Sequence, residues 1–154
     1  MVYKGHSAKG AALTDLFLVS FPYHGALMAA GERLTVDVGL TAARWQVLST
    51  IARSDRPEPV ANVARNMGLA RQSVQRSADE LEKAGLITFG PNPHHKRAPL
   101  TLLTHKGRKA FDEISRKQVP WVNSLARDLD ADAIVAAVEL LKALRERLEQ
   151  QVGE

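Results

Sequence analysis

Apolar and polar positions follow two rhythms along this chain, and the change between them marks its centre. From Val60 to Met67 a short segment carries an apolar stripe with helical spacing and stops at Gly68. A second helical segment runs from Arg71 to Ala84 and stops at Gly85. Its residues Val74, Ala78 and Leu81 fall within about 60° on the helical wheel and form its buried stripe. Two helices joined by so short a glycine-containing turn must cross steeply, as in a helix-turn-helix. Beyond Gly85 the period shortens, and Leu86-Ile87-Thr88-Phe89 reads as a strand. Gly90-Pro91-Asn92-Pro93 then turns the chain, and Leu100-Thr101-Leu102-Leu103 returns as a second strand. Lys96 and Arg97 sit near the tip of this hairpin. Helix-turn-helix plus basic-tipped hairpin predicts a winged helix, a DNA-binding arrangement.

The flanks read as long helices. Residues 1–10 lack periodicity and read as a loose tail. From about Ala11 to Ala30 the chain is apolar on more than one helical face, through Leu13, Leu16, Phe17, Phe21, Leu27 and Met28, which points to contact with another subunit. Pro22 should kink or interrupt this helix. His24, just beyond, reads first as a partly buried histidine and second as the wall of a cleft at that break. Gly39-Leu40-Thr41 starts another helix with Thr41 as its cap. Its Trp45, Leu48 and Ile51, with Val47, are core positions, and Trp45 facing a small-molecule pocket is the secondary reading. Arg53 to Pro59 reads as a polar linker.

After the hairpin, Thr104 caps a helix in which Gly107 permits close approach of a neighbouring backbone. Lys106, Arg108 and Lys109 oppose that helix's dipole, so phosphate contact or a merely exposed helix start is the expected reason for them. Pro120-Trp121 should break or kink it. Asp130 caps a last helix with Ile134, Val138, Leu141, Leu144, Leu148 and Val152 along one apolar seam. A seam of this length needs a partner, and a second copy across a two-fold axis is the economical one.

Composition narrows the class. The 154 residues are 45% hydrophobic and 25% charged, an ordinary globular balance. No apolar run approaches a membrane span, no signal peptide is evident, and the chain is expected to be cytoplasmic. Cysteine is absent, which removes disulfides, thiolate metal sites and thiol redox switching, while three methionines leave a slower oxidation route. Adjacent His94 and His95 make a poor metal site, so no metal and no cofactor are expected. From Arg53 to Phe111 eleven Lys/Arg face five Asp/Glu, whereas the remainder is net negative. A positive centre between neutral-to-acidic flanks suits a polyanion partner.

The second helix of the motif supplies candidate chemistry. Gln72 and Arg76 lie roughly opposite its buried stripe, with Arg71, Ser73 and Gln75 beside them. Arg and Gln pair in bidentate fashion with guanine and adenine edges in the major groove. Asp79, Glu80 and Glu82 come later, where such a helix would be leaving the base pairs. Lys96 and Arg97 are the expected phosphate or minor-groove contacts.

These pieces in this order resemble the MarR family of bacterial regulators, and the resemblance covers nearly the whole chain. It is carried by Gly39-Leu40-Thr41 with Trp45 and Val47-Leu48, by Val63-Ala64 and Gly68, and by Leu81-Glu82-Lys83-Ala84-Gly85-Leu86-Ile87. Asn92-Pro93, Lys96-Arg97-Ala98 and Leu103-Thr104-His105-Lys106-Gly107 complete it. Three departures stand out: His95 where an acid usually precedes the basic pair, and Pro59 and Ala70 where Ser or Thr usually starts the two motif helices. The resemblance implies a homodimer on a near-palindromic operator, usually repressing, and often released by a small aromatic or other organic effector. The effector would enter a cleft near Pro22, His24 and Trp45.

The expected fold is therefore mainly α: one domain over 1–154, with a winged helix-turn-helix over 40–104 and a small β-hairpin wing. Long terminal helices over 11–32 and 105–152 would dimerise it. The expected function is sequence-specific regulation of transcription on double-stranded DNA. The alternative is an architectural DNA-binding protein with little sequence preference, against which Gln72 and Arg76 argue. An enzyme is not expected, because no catalytic constellation is visible and the roughly fifty residues after the wing are too few for a catalytic domain.

Overall fold

The computed structural model describes residues 4–152. Element order is α1 (Ala8–Thr35), a 3-10 turn (Val36–Val38), α2 (Ala42–Arg53), β1 (Glu58–Pro59), α3 (Val60–Met67) and α4 (Arg71–Lys83). Then come β2 (Ile87–Gly90), β3 (Leu100–Leu103), α5 (His105–Ala126) and α6 (Ala131–Val152). The chain divides into two compact units, the first ending at Ser115 and the second beginning at Arg116.

In the first unit, α2, α3 and α4 close around Leu48, Val63, Val74, Ala78 and Leu81, with Ile87 from β2 and Ile114 from α5 completing the core. Trp45 is buried as expected, and its indole stacks on Phe111 with ring centroids 5.5 Å apart. Thr41 caps α2 by accepting from Arg44 N at 3.3 Å. Glu32 reaches over from α1 and accepts from Ala42 N at 2.9 Å, so the same helix start is held by a second element. Beneath the wing, Thr101 is buried and its hydroxyl donates to the Glu58 carbonyl at 2.8 Å.

Several expectations need correction. The loose tail is shorter: Ser7 accepts from Gly10 N at 3.1 Å, and α1 begins at Ala8 and continues to Thr35 rather than spanning Ala11 to Ala30. Residues 1–3 lie outside the described residues. Neither Pro22 nor Pro120 interrupts its helix. Proline deletes one donor and leaves the carbonyl four residues earlier unpaired. Those carbonyls belong to Leu18 and Arg116, both at exposed positions where water can bond them. The Arg53–Pro59 segment is not all linker, because Glu58 and Pro59 pair with Thr101 and Leu100. The hairpin is thus part of a three-stranded antiparallel sheet of order β1-β3-β2. Pro59 can occupy β1 because an edge strand leaves one side of its backbone unpaired.

Two of the three bases at the start of α5 also have partners within the fold. Lys106 donates to the Ala84 carbonyl at the C-terminus of α4 at 2.7 Å. Arg108 donates to the Ala52 carbonyl at the end of α2 at 3.3 Å. Each charge sits at the negative end of a neighbouring helix, which outweighs its unfavourable place on its own. Thr104 caps α5 as expected, accepting from Gly107 N at 2.9 Å.

Exposed apolar side chains concentrate elsewhere. On α1 they are Phe17, Leu18, Val19, Phe21, Tyr23 and Leu27. In the second unit, Asp130 accepts from Asp132 N at 3.0 Å and starts α6. Along α6, Ile134, Val138, Leu141 and Leu148 of the seam are exposed and Leu144 is half-buried. The Val152 side chain lies outside the described residues.

Candidate nucleic-acid interface

The two motif helices end alike. At Gly68 (φ 65°) Leu69 N donates to the Ala64 carbonyl at 3.0 Å, and at Gly85 (φ 71°) Leu86 N donates to the Leu81 carbonyl at 2.9 Å. These are Schellman caps, which require a left-handed residue that glycine adopts without strain. The first sets the turn between α3 and α4; the second sends the chain from α4 into β2.

Val74, Ala78 and Leu81 bury one side of α4 against the core. Gln72 and Arg76, one turn apart on the opposite side, are exposed, as are Arg71 and Ser73 in the first turn. Gln75 differs from its neighbours: it is half-buried and its amide donates to Asp79 at 2.8 Å. The acids at the far end are partly occupied, Asp79 by Gln75 and Glu80 by an ion pair with Arg44 of α2. What projects from the N-terminal half of α4 is therefore cationic and amide-bearing.

No side chain caps α4 at Ala70, nor α3 at Pro59. Ala70→Ser should supply the missing acceptor and stabilise the protein by about 1 kcal/mol, raising Tm by ~2–4 °C in a scan at fixed concentration. An unchanged Tm would mean that those N–H groups are already well satisfied by water.

Between β2 and β3 the wing closes on Asn92. Its amide donates to the Ala98 carbonyl at 2.8 Å, and its side-chain oxygen accepts from His94 N at 3.0 Å. Ala98 N donates to the His95 carbonyl at 3.0 Å, which tightens the turn carrying Lys96 and Arg97. Both basic side chains are exposed, and among the described residues neither makes an intramolecular hydrogen bond. The sequence marked Asn92 as a turn residue beside Pro93, but not that its side chain shapes the loop. Among the described residues no group of three His, Cys, Asp or Glu could hold a metal ion.

Of the three expected ligand residues, the fold brings two together. His24 of α1 and Trp45 of α2 line a hollow of about 350 Å³ with Gln46, Ser49, Thr50, Met67 and Leu69. Pro22 is exposed on α1 and is not part of its wall. Among the described residues no helix is long and apolar enough to cross a membrane.

A family model described as MarR family matches residues 38–98, from just before α2 to the wing loop ahead of β3. An uncharacterized protein of Mycobacterium tuberculosis is 37% identical over 124 residues, covering 80% of this chain and 85% of its own. Among solved structures, CouR from Rhodococcus jostii RHA1 bound to p-coumaroyl-CoA superimposes with a TM-score of 0.76 at 21% identity, covering 84% of this chain and 91% of that one. Staphylococcus aureus MarR in complex with salicylate and kanamycin does so with a TM-score of 0.74 at 17% identity, covering 93% and 97%. At such identities the structural likeness speaks for the fold, and the matched span includes the helix-turn-helix, β2 and the wing loop. The chain belongs to the MarR family of winged helix-turn-helix transcription regulators.

Proposed function

We propose that the protein is a homodimeric, ligand-responsive repressor that binds a near-palindromic operator with one α4 in each half-site. Residues 40–104 would form the DNA-binding core, with 11–32 and 105–152 as dimerisation helices. The observation that carries this reading is the pair Gln72 and Arg76, exposed one turn apart opposite the buried stripe of α4. That pair suits recognition of base edges, with Arg71 and Ser73 nearer the backbone and Lys96 and Arg97 on phosphate or in the minor groove. Gln75, half-buried and bonded to Asp79, contributes less. The exposed apolar faces of α1 and α6 support self-association, since monomers seldom leave such patches in water. Half-sites would then lie about one DNA turn apart, ~10 bp between centres. For an effector, the hollow beside His24 and Trp45 is the proposed site. That two proteins of this fold have been solved with small organic ligands supports a small organic effector here.

Selection of bound sequences from random DNA tests this reading directly, since it reports specificity and symmetry together. On the recovered operator, Arg76→Ala or Gln72→Ala should cost about 1–3 kcal/mol and relax the preference at one position of each half-site. Arg97→Ala should weaken all sequences evenly and make the salt slope shallower by about one unit. If Arg76→Ala left both motif and affinity unchanged, α4 would not be the reader. A selection that returned no motif would favour the architectural alternative.

A further inference from the structure

The first turn of α2 is tied to two other helices. On the side of α1, the Glu32 carboxylate accepts from Ala42 N at 2.9 Å, and Gly31 lies so close that a Cβ there would stand 3.1 Å from Ala42 Cβ. Two residues on, Arg44 Nε donates to Glu80 Oε2 of α4 at 2.5 Å. A short stretch of α2 thus joins a helix proposed to pair the subunits to the helix proposed to read bases. We propose, resting on the dimeric operator reading above, that Arg44 is a positioning residue. It fixes the direction in which α4 points relative to α1, and so sets the half-site spacing that the dimer accepts.

Stability does not account for the pair. Its side chains are 34% and 49% exposed, and ion pairs so open to water contribute little to folding. Affinity for DNA does not account for a carboxylate on α4 either, since phosphate repels it. Direction is what the pair supplies. Val74, Ala78 and Leu81 press α4 on the core, but apolar contact is non-directional and leaves a helix some rotation about its axis. Glu80 lies one turn beyond Arg76, on the neighbouring part of the same face, so a hold on Glu80 is a hold on the face that carries Arg76. Lys106 of α5 grips the end of α4 through the Ala84 carbonyl, whereas Arg44 grips that face itself. Spacing is sensitive to such a hold: one base pair more or less moves a half-site by ~3.4 Å and turns it by ~35°. A helix locked to the frame of the subunit misses a half-site so displaced; a looser one follows it.

The test uses the full-length protein and duplexes bearing two inverted copies of the half-site recovered by selection. Their centres lie at the recovered spacing and one base pair to either side. Anisotropy at one fixed salt gives the ratio of affinities between spacings, in which the phosphate attraction common to all the duplexes cancels. Wild type should prefer one spacing by about 100-fold, because a misplaced second half-site forfeits its effective concentration. Arg44→Gln and Glu80→Gln should each cut that preference to about tenfold or less, with single half-site affinity changed by less than about twofold. Reversing the pair, Arg44→Glu with Glu80→Arg, should restore a sharp preference. Variants as selective as wild type, an equal loss on the single half-site, or a reversed pair that stays indifferent would each overturn the role of Arg44 and leave the operator reading standing. A selection that returned no two-part motif, or a wild type indifferent to spacing, would overturn both.

Discussion

Gly107→Ala should destabilise the protein by about 3 kcal/mol, near the upper end of what overpacking costs. A Cβ on Gly107 would stand 1.9 Å from the Leu86 carbonyl oxygen and 2.9 Å from both the Leu86 carbonyl carbon and Leu103 Cδ1. Leu103 can change rotamer, but the carbonyl cannot. It accepts from Thr104 N at 3.1 Å and from the Thr104 hydroxyl at 3.0 Å, so moving it weakens two bonds at the start of α5. Helix propensity acts the other way, since alanine is better than glycine inside a helix by about 1 kcal/mol. The overlap wins because the offending atom is backbone. Gly25 on α1 is the internal control: nothing lies within 4 Å of a Cβ there, so Gly25→Ala should gain up to about 1 kcal/mol. Urea unfolding of both variants at one protein concentration measures the two signs. A G107A protein as stable as wild type would refute the close contact.

The second large effect concerns self-association. Val138→Glu with Leu141→Glu should convert the proposed dimer to monomer at micromolar concentration and lower affinity for the proposed full operator by at least 100-fold. Both side chains are exposed on α6, at 43% and 53%, within the seam proposed to meet a second copy. Burying each apolar side chain contributes about 1.5–3 kcal/mol, and a carboxylate in its place must be desolvated next to its symmetry mate. Loss of the dimer then removes the effective concentration of the second half-site, a gain of roughly 10²–10⁴. Because the side chains are exposed within the chain, the double variant should keep its helical signal. Sedimentation, with anisotropy on full and half operators, separates the outcomes. A wild-type monomer, or a double variant that remains dimeric, would remove the basis for the two-fold reading.

Local signals were legible in the sequence, and long-range ones were not. The strand Leu100–Leu103 was marked by its own pattern beyond a nearby turn. The bounds of α3, the glycines at 68 and 85, and the caps at Thr41, Thr104 and Asp130 all rest on interactions within a few residues. So does the exposed pair Gln72 and Arg76, which follows from where Val74, Ala78 and Leu81 must go. By contrast, β1 exists only because Thr101, 43 residues away, bonds to Glu58. Two residues ending in proline carry no strand pattern of their own. Likewise Lys106 and Arg108 looked misplaced on α5, because the carbonyls they serve belong to α4 and α2. Continuity of α1 and α5 through Pro22 and Pro120 depended on whether the freed carbonyls face water, which one helix read alone does not reveal. Asn92 was visible as a turn residue, but its grip on Ala98 depends on the course of the loop.

The contact at Gly107 bears on how motion would travel inside the first unit. The Leu86 carbonyl directly follows the cap of α4, and α5 rests on it with no room for a methyl group. Lys106, one residue earlier, holds the last turn of α4 by the Ala84 carbonyl. Turning α5 by ten degrees about its own axis would carry a Cα, at a radius near 2.3 Å, through about 0.4 Å. A looser joint would absorb so small a displacement before it reached the next element. Here the joint is tight, so a turn of the start of α5 should carry with it the end of α4, the helix bearing Gln72 and Arg76.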